Sequence, residues 1–222
     1  MLNWAVRYFP ILRVLKRFIR AGERVLEIGA GPYGLAEFYE YPFVGCDIKF
    51  VQRPRSPMLP VVCSGDALPF ADDSFGAAIA SDVLEHVAPG QRRVVISEAL
   101  RVTRRVAVFG FPSGADAFMT DRQIFGEFLK LTQAAPDWLE EHMRYPFPGP
   151  ELFEGLSADW TVGSFGNEHL RFHYWLAHKE MDPLWSRFLG VLPRVVPSPL
   201  ELALRLVDRK PFYRRIFVVT RR

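Results

Sequence analysis

Carboxylates and glycines in the first third of the chain have the spacing of a ligand site. Glycines stand at positions 29, 31 and 34, directly after an apolar run that Glu27 interrupts. Glycines let a backbone turn pass closely under a ligand before a helix begins. Asp47 ends the next apolar run, about 20 residues beyond the first glycine, where a carboxylate can accept hydrogen bonds from ribose hydroxyls. The pattern predicts a small, nucleotide-like ligand on this turn.

The segment 65–75, GDALPFADDSF, separates two classes of protein that share such a turn. Dinucleotide dehydrogenases and several transferases both have the glycine turn, but dehydrogenase patterns do not call for this segment. With it, the sequence resembles the class I S-adenosylmethionine-dependent methyltransferases over about residues 22–112. Residues 81–87, SDVLEHV, resemble the family's segment after the fourth strand. The resemblance implies a Rossmann-like fold with S-adenosylmethionine as cofactor.

The resemblance also implies which residues contact the cofactor. Glu27, Gly29 and Gly31 match the family's first motif. Asp47 matches its ribose-binding acid, and Asp66 matches the acid that meets the adenine amino group. The residues expected at the cofactor are Glu27, Gly29, Ala30, Gly31, Asp47, Ile48, Asp66, Ala67, Leu68 and Ser81.

The charge of Glu27 agrees with this cofactor. A dinucleotide pyrophosphate prefers the bare amides of a helix start, whereas a sulfonium cation with an amino-acid end suits an acidic turn. The alternative is that the carboxylate only caps the amides of its own turn. Two departures from the family pattern are Gly76, where an aspartate is usual, and the prolines at 54 and 57, which weaken the second crossover helix.

Short apolar runs predict the strands that position these residues. Seven strands are predicted, at 25–29, 43–46, 60–63, 77–81, 105–111, 159–165 and 215–220. Helical patterns are predicted at 4–20, 34–39, 90–102, 115–133, 136–144 and 149–156. Residues 53–57 are predicted to be a loop with at most one turn, because proline cannot continue a regular helix. The predicted fold class is α/β, a Rossmann-like, doubly wound, mostly parallel sheet of seven strands with a helical insertion before the last strand.

Four segments follow from this pattern. They are an N-terminal amphipathic helix in 1–21, a cofactor-binding core in 22–166 with a helical segment at 113–156, a helical insertion or cap in 167–212, and the final core strand in 213–222. The acceptor is expected to contact the parts outside the shared core. Five aromatic residues of the insertion either line a pocket for a flat or lipid-like acceptor or form the ordinary core of a cap: Phe172, Tyr174, Trp175, Trp185 and Phe188.

His86 is the candidate general base, although the sequence leaves the catalytic residue unassigned. It lies just beyond the fourth predicted strand, where a neutral imidazole can accept a proton. A packing or helix-capping role is the alternative, because alignment of the reacting atoms alone supplies much of the rate when the acceptor is already reactive. No metal site is predicted, since Glu85 and His86 lack the required histidine spacing. The other histidines, His142, His169, His173 and His178, lie far along the chain.

Composition and charge bound the remaining possibilities. The 222 residues, 49% of them hydrophobic, are enough for one substantial core. Two cysteines, Cys46 and Cys63, beside apolar runs indicate no disulfide scaffold, so a reducing cytoplasm is predicted. Residues 1–24 carry six basic side chains and one acidic, and residues 183–222 carry nine and two, whereas the middle of the chain is acidic. These basic ends either are solvated helix faces or dock transiently on an anionic membrane.

The leading prediction is a methyltransferase that uses S-adenosylmethionine on a small, partly hydrophobic acceptor. A nucleic-acid methyltransferase is the runner-up, disfavoured because no motif of the Asn-Pro-Pro-Tyr type follows the fourth strand. A non-catalytic protein that binds the same cofactor is the alternative from a different class, because fold does not guarantee function. A dehydrogenase is the last alternative, and the oligomeric state is not predicted.

Overall fold

The computed structural model describes residues 2–222 and contains one sheet of seven strands. The strands are β1 Val25–Ile28, β2 Phe43–Asp47, β3 Met58–Val62, β4 Phe75–Ser81, β5 Thr103–Pro112, β6 Trp160–His169 and β7 Phe212–Arg221. Their order is β3-β2-β1-β4-β5-β7-β6. The pairs from β3 to β5 are parallel, and β7 runs antiparallel to both of its neighbours. The predicted fold class and all seven predicted strands are confirmed.

Seven α-helices surround the sheet. They are α1 Leu2–Phe18, α2 Arg92–Arg101, α3 Ala115–Thr132, α4 Asp137–His142, α5 Leu170–Met181, α6 Pro183–Val195 and α7 Pro197–Arg205. The last three form the predicted insertion before β7. Residues 53–57 contain no helix, as the prolines predict.

Two predicted helices are wrong in type, because each is a single 3-10 turn. A 3-10 turn at Gly34–Glu37 stands where a helix is predicted at 34–39. The reason is that Gly34 has a left-handed φ of 46° and that the amide of Leu35 donates its hydrogen bond to Glu27. Pro150–Phe153 replaces the helix predicted at 149–156, where Gly155 leaves the helical region with a φ of 76°.

Helices cover both faces of the sheet, which explains the continuous apolar runs of the parallel strands. All seven residues of β4 are buried. On one face α2 packs its apolar side chains, and on the other face α1 packs Tyr8, Ile11 and Leu15. The first half of α1 also packs against α5, α6 and α7. Helix α1 therefore lies between the sheet and the insertion, while the division of the chain into four segments stays a prediction.

The parallel strands bring the predicted site residues to one edge of the sheet. Strands β1 to β4 all end at this edge, so the turn after β1, Asp47 of β2 and Ser81 of β4 are neighbours there. In open α/β sheets the ligand binds at the carboxyl ends of the strands, where the strand order reverses. Here that reversal lies between β1 and β4.

Candidate cofactor site and active site

The turn after β1 needs glycine at the first two of its three glycine positions. Gly29 and Gly31 have φ values of 68° and 53°, in the left-handed region. A Cβ on Gly29 would lie 2.4 Å from Cγ2 of Val83, whereas a Cβ on Gly31 would meet no atom within 4 Å. The amide of Gly31 donates a hydrogen bond to Oδ2 of Asp47 at 2.9 Å. The turn thus packs tightly on the β4 side and is open at Gly31.

Glu27 uses both carboxylate oxygens inside the protein. The hydroxyl of Tyr8 donates to Oε1 at 2.7 Å, and the amide of Leu35 donates to Oε2 at 2.7 Å. Burial raises the pKa of Glu27 to about 7, and the two hydrogen bonds partly oppose that shift. This geometry is that of the capping alternative, in which Glu27 ties the glycine turn to α1. The sequence contained no signal that Tyr8 would be its partner.

The other predicted cofactor residues differ in their exposure and in the hydrogen bonds that they make within the protein. Asp47 is half-buried, and its Oδ1 accepts only a long bond of 3.3 Å from the amide of Lys49. Asp66 is half-buried, and its carboxylate makes no hydrogen bond to any residue in 2–222. Ile48 is 69% exposed beside Asp47. Ala67 is exposed, whereas Leu68 is buried with its amide bonded to Glu98 and its carbonyl to Arg101.

Ser81 completes the set at the end of β4. Its Oγ is buried and has no hydrogen-bond partner among the described residues. A nucleoside with ribose hydroxyls, an adenine amino group and an amino-acid end offers partners to such groups. The unpartnered Ser81 hydroxyl, the free Asp66 carboxylate and the open backbone at Gly31 therefore fit S-adenosylmethionine.

A chain of buried ion pairs supports the loop that follows β4. Asp82, which has a φ of 53°, accepts hydrogen bonds from Nε and NH2 of Arg214 at 2.8 and 2.9 Å. Nε of Arg7 lies 3.1 Å from the same carboxylate. Burial would raise the pKa of Asp82, but the two guanidinium groups outweigh it and lower the pKa. Helix α1 and strand β7 thus hold the β4 loop from two sides.

The chain of polar contacts continues from Arg214 into the helical part of the molecule. Arg214 donates to Oε2 of Glu168 at 2.7 Å, and Oε1 of Glu168 lies 3.1 Å from Nδ1 of His173. Nε2 of His173 lies 3.1 Å from Oδ1 of Asp121, whose Oδ2 lies 2.6 Å from Nδ1 of His142. Sequence reasoning missed this network, because its members come from five separate elements.

His173 makes this network sensitive to pH. Burial opposes its charge, but the carboxylates of Glu168 and Asp121 outweigh burial and raise the pKa of His173 to about 9. Folding therefore favours the protonated ring, and this stabilisation is complete below the unfolded pKa near 6.5 and lost as pH rises through 9. We expect the free energy of unfolding to fall by about 2 to 3 kcal/mol between pH 6.5 and 9.5 in urea titrations.

The variant His173→Gln supplies the control for this prediction. Residue 173 then cannot titrate, so the unfolding free energy of the variant should be lower at pH 6.5 and should fall less across the same interval, in which Glu27 still titrates. An equal slope in the variant and the parent would assign the pH dependence to another group.

The structure places His142 beside Glu85 and His86, two residues of the loop after β4. The rings of His86 and His142 lie 4.9 Å apart, and Nε2 of His142 lies 3.9 Å from Oε1 of Glu85. Nδ1 of His86 lies 2.9 Å from Oε2 of Glu141. Sequence reasoning treated His142 as remote, because 56 positions separate it from His86. His169, by contrast, caps α5 by accepting a bond from the amide of Arg171.

A cavity of about 420 Å³ lies where α1, α3, α4 and α5 meet. Its wall includes Asn3, Trp4, Phe128, Trp138, His173 and Met181. The ring of Trp4 packs edge-on against Tyr33 of the glycine turn, with centroids 5.8 Å apart. The ring of Trp138 packs edge-on against His142 at 5.3 Å. Two tryptophans of the cavity wall thus also contact Tyr33 of the glycine turn and His142 of α4.

A second and larger cavity, of about 760 Å³, lies elsewhere. It is lined by residues 20–24 and 38–42, which precede β1 and β2, together with the end of α1. It therefore opens at the edge of the sheet opposite the glycine turn. Position rather than size makes the smaller cavity the candidate acceptor site.

The five aromatic residues of the insertion do not line the 420 Å³ cavity. Phe172 packs in the cluster between α1 and the insertion, and Tyr174 donates a hydrogen bond to Glu127. Trp175, Trp185 and Phe188 are exposed. The wall of the 420 Å³ cavity comes from α1, from 113–156 and from the insertion, the segments in which the acceptor is expected.

Many basic residues of the two ends are paired within the chain. Beyond the contacts of Arg7 and Arg214, Arg13 bonds to Glu201 at 3.2 Å, and Arg194 lies 3.4 Å from Glu37. Docking on an anionic membrane stays a prediction, for which α6 offers exposed apolar residues such as Leu184 and Phe188. Across residues 2–222, every helix is too short or too polar to cross a membrane.

Comparison with known proteins agrees with the site. A family model described as a methyltransferase domain matches residues 26–110. An uncharacterized methyltransferase of Mycobacterium avium (strain 104) is 29% identical over 185 residues, which cover 70% of each chain. One of Mycolicibacterium vanbaalenii is 27% identical, over 84% of this chain and 77% of that protein.

Solved structures share the fold at low sequence identity. The plantazolicin methyltransferase BpumL in complex with SAH superposes with a TM-score of 0.56 at 9% identity, over all of this chain and 85% of that one. The [4+2]-cyclase SpnF gives 0.55 at 16% identity, over 96% of this chain and 80% of that one. The chain is thus similar to the S-adenosylmethionine-dependent methyltransferases over the segment that contains the glycine turn and Ser81. S-adenosylmethionine is the cofactor of this class of transferase.

Proposed function

We propose that this protein transfers the methyl group of S-adenosylmethionine to a small, partly hydrophobic acceptor bound in the 420 Å³ cavity. The observation that carries the proposal is the position of this cavity. Its wall residue Trp4 packs against Tyr33 of the glycine turn, and its wall residue Trp138 packs against His142, whose ring lies 4.9 Å from that of His86. An acceptor there would lie between the helices and the cofactor edge of the sheet, shielded from water.

The chain's own residues would bind and orient the two substrates. The bound cofactor supplies an electrophilic methyl group on a sulfonium centre. Asp47 would accept from the ribose hydroxyls and Asp66 from the adenine amino group, while the exposed side chain of Ile48 would cover the base. Because Gly29 and Gly31 carry no side chain, the cofactor could approach the backbone of the turn closely. Rate would then come chiefly from alignment of the acceptor with the methyl group in a dry site.

Removal of the negative charge at Asp47 or at Asp66 is expected to weaken cofactor binding. Asp47→Asn and Asp66→Asn should each raise the Kd for S-adenosylmethionine about 10- to 100-fold, because hydrogen bonds to charged groups contribute about 1.5 to 3 kcal/mol. Isothermal titration calorimetry with S-adenosylmethionine and S-adenosylhomocysteine measures this change. Asp159→Asn is the matched control, since Asp159 is exposed and precedes β6, at the opposite edge of the sheet. Unchanged affinity in both site variants would contradict the proposed cofactor contacts.

Two equally exposed tryptophans test the acceptor cavity. Trp138 and Trp185 are both 40% exposed, but only Trp138 lines the cavity. With a panel of phenols, aromatic amines and carboxylic acids assayed by S-adenosylhomocysteine release, Trp138→Ala should raise KM for the accepted compound at least 10-fold. Trp185→Ala should leave KM unchanged, and neither variant should alter cofactor affinity. A raised KM in Trp185→Ala with an unchanged KM in Trp138→Ala would indicate that the acceptor binds at the surface of α6.

One observation favours a second candidate function. SpnF, whose fold this chain shares, is a [4+2]-cyclase, so this sheet architecture also serves reactions other than methyl transfer. The same panel separates the two functions. Tight binding of S-adenosylmethionine with no S-adenosylhomocysteine released from any compound would favour a role without methyl transfer.

A further inference from the structure

Three side chains of metal-ligand type converge just beyond β4. Glu85, His86 and His142 each place one donor atom within 4.8 Å of the other two. Two imidazoles and one carboxylate form a donor set that suits borderline divalent ions such as Zn²⁺. Mg²⁺ and Ca²⁺ prefer oxygen ligands, so this set disfavours them.

The burial of Glu85 is a second and independent observation. Glu85 is fully buried, yet neither of its carboxylate oxygens has a hydrogen-bond partner among residues 2–222. The buried guanidinium of Arg92 donates to the carbonyls of Val87 and Pro146 instead. A buried carboxylate without a partner is costly, because it gives up its hydration and gains nothing in return. A bound cation would supply the missing partner.

A carboxylate also lies close to Nδ1 of each histidine, although Nδ1 of His86 has no hydrogen-bond partner among residues 2–222. Oδ2 of Asp121 lies 2.6 Å from Nδ1 of His142, which leaves Nε2 of that ring facing Glu85. Oε2 of Glu141 lies 2.9 Å from Nδ1 of His86. Metal-binding histidines usually donate their second ring nitrogen to such a carboxylate, which fixes the orientation of the ring.

We propose that Glu85, His86 and His142 bind one divalent transition-metal ion, with Zn²⁺ as the best match. Donor atoms around a tetrahedral zinc ion lie about 3.3 Å apart, given bonds near 2.0 to 2.1 Å. The present spacing therefore closes by small side-chain movements. The side chain of His86 is 27% exposed, which provides an entry path for the ion. A fourth position remains for water or for an oxygen or nitrogen of the acceptor.

The ion would link the site to the cavity wall. His142 ends α4, the helix that also carries Trp138, whereas Glu85 and His86 belong to the loop after β4. A shared ion would fix α4 against this loop. Coordination would also use a lone pair of His86, so metal binding and a general-base role on the same nitrogen exclude each other. Metal binding itself does not depend on the proposed methyl transfer.

Binding can be measured on the full-length protein after removal of metal with a chelator. We expect one Zn²⁺ per chain by elemental analysis, and a rise in Tm of about 5 °C or more at Zn²⁺ concentrations well above the Kd. Co²⁺ should give visible absorption bands of low-coordinate nitrogen and oxygen ligation. Less than one tenth of an ion per chain with no change in Tm would overturn the proposal, as would sulfur-to-cobalt charge-transfer bands from Cys46 and Cys63.

Variants locate the ion. His86→Ala and Glu85→Gln should each lower Zn²⁺ affinity at least 10-fold, and both should stay folded by circular dichroism, because one side chain is partly exposed and the other substitution keeps its volume. His178→Ala is the control, since His178 contacts Glu127 away from the site. Equal affinity in the parent and both site variants would place the ion elsewhere and refute the assignment.

Discussion

Arg214→Gln is expected to lower the free energy of unfolding by about 3 to 5 kcal/mol, the largest stability loss that the structure predicts for one substitution. The guanidinium is 3% exposed and donates to Asp82 and Glu168. Its loss takes a charged partner away from two buried carboxylates, which leaves Asp82 with Arg7 and Glu168 with His173. At a fixed pH near 7, urea denaturation followed by circular dichroism measures the change.

The neighbouring arginine on β7 is the matched control. Arg215 is half-buried and makes no ion pair with any residue in 2–222, so Arg215→Gln should change the unfolding free energy by less than about 1 kcal/mol. Arg214→Lys keeps the charge but loses the planar guanidinium that bonds Asp82 through two nitrogens. Its loss of unfolding free energy should therefore lie between those of Arg215→Gln and Arg214→Gln. If Arg214→Gln and Arg215→Gln proved equally stable, the buried pairs would have little net effect on folding.

The sequence predicted the sheet well because the signals for its strands are local. Buried parallel strands read as continuous apolar runs, and the glycines at 29, 31 and 34 mark the turn that follows β1. The order of the strands is not a local property. Only the antiparallel placement of β7 between β5 and β6 brings Arg214 within 2.7 Å of Glu168. Partners that lie 46 positions apart carry no spacing signal in the sequence.

The same reason explains why the sequence leaves the role of the aromatic residues in the insertion open. A helical pattern shows that a residue lies on an amphipathic element, but not which neighbour that element meets. The aromatic residues chosen in the insertion therefore lie mostly on the surface, whereas Trp4 and Phe128 line the cavity. The sequence gives no reason to pair His142 with His86, because they lie far apart along the chain. The fold nevertheless places their rings 4.9 Å apart.

Gly29→Ala should combine a stability loss with the loss of cofactor binding. Gly29 has a φ of 68°, a conformation that costs an L-residue about 1 to 2 kcal/mol. The new Cβ would also lie 2.4 Å from Cγ2 of Val83, and such overpacking costs a further 1 to 3 kcal/mol or so. We expect the free energy of unfolding to fall by roughly 2 to 5 kcal/mol and the Kd for S-adenosylmethionine to rise at least 10-fold.

Two other glycines with left-handed backbones separate the causes. Gly22 has a φ of 83° and open space around it, outside the predicted cofactor contacts, so Gly22→Ala should show only the backbone strain. Gly31 also has open space, but the cofactor is expected to occupy it. Gly31→Ala should therefore be about as stable as Gly22→Ala while binding S-adenosylmethionine at least 10-fold more weakly. Equal cofactor affinity in these two variants would mean that the ligand does not lie on the glycine turn, because backbone strain alone is common to both.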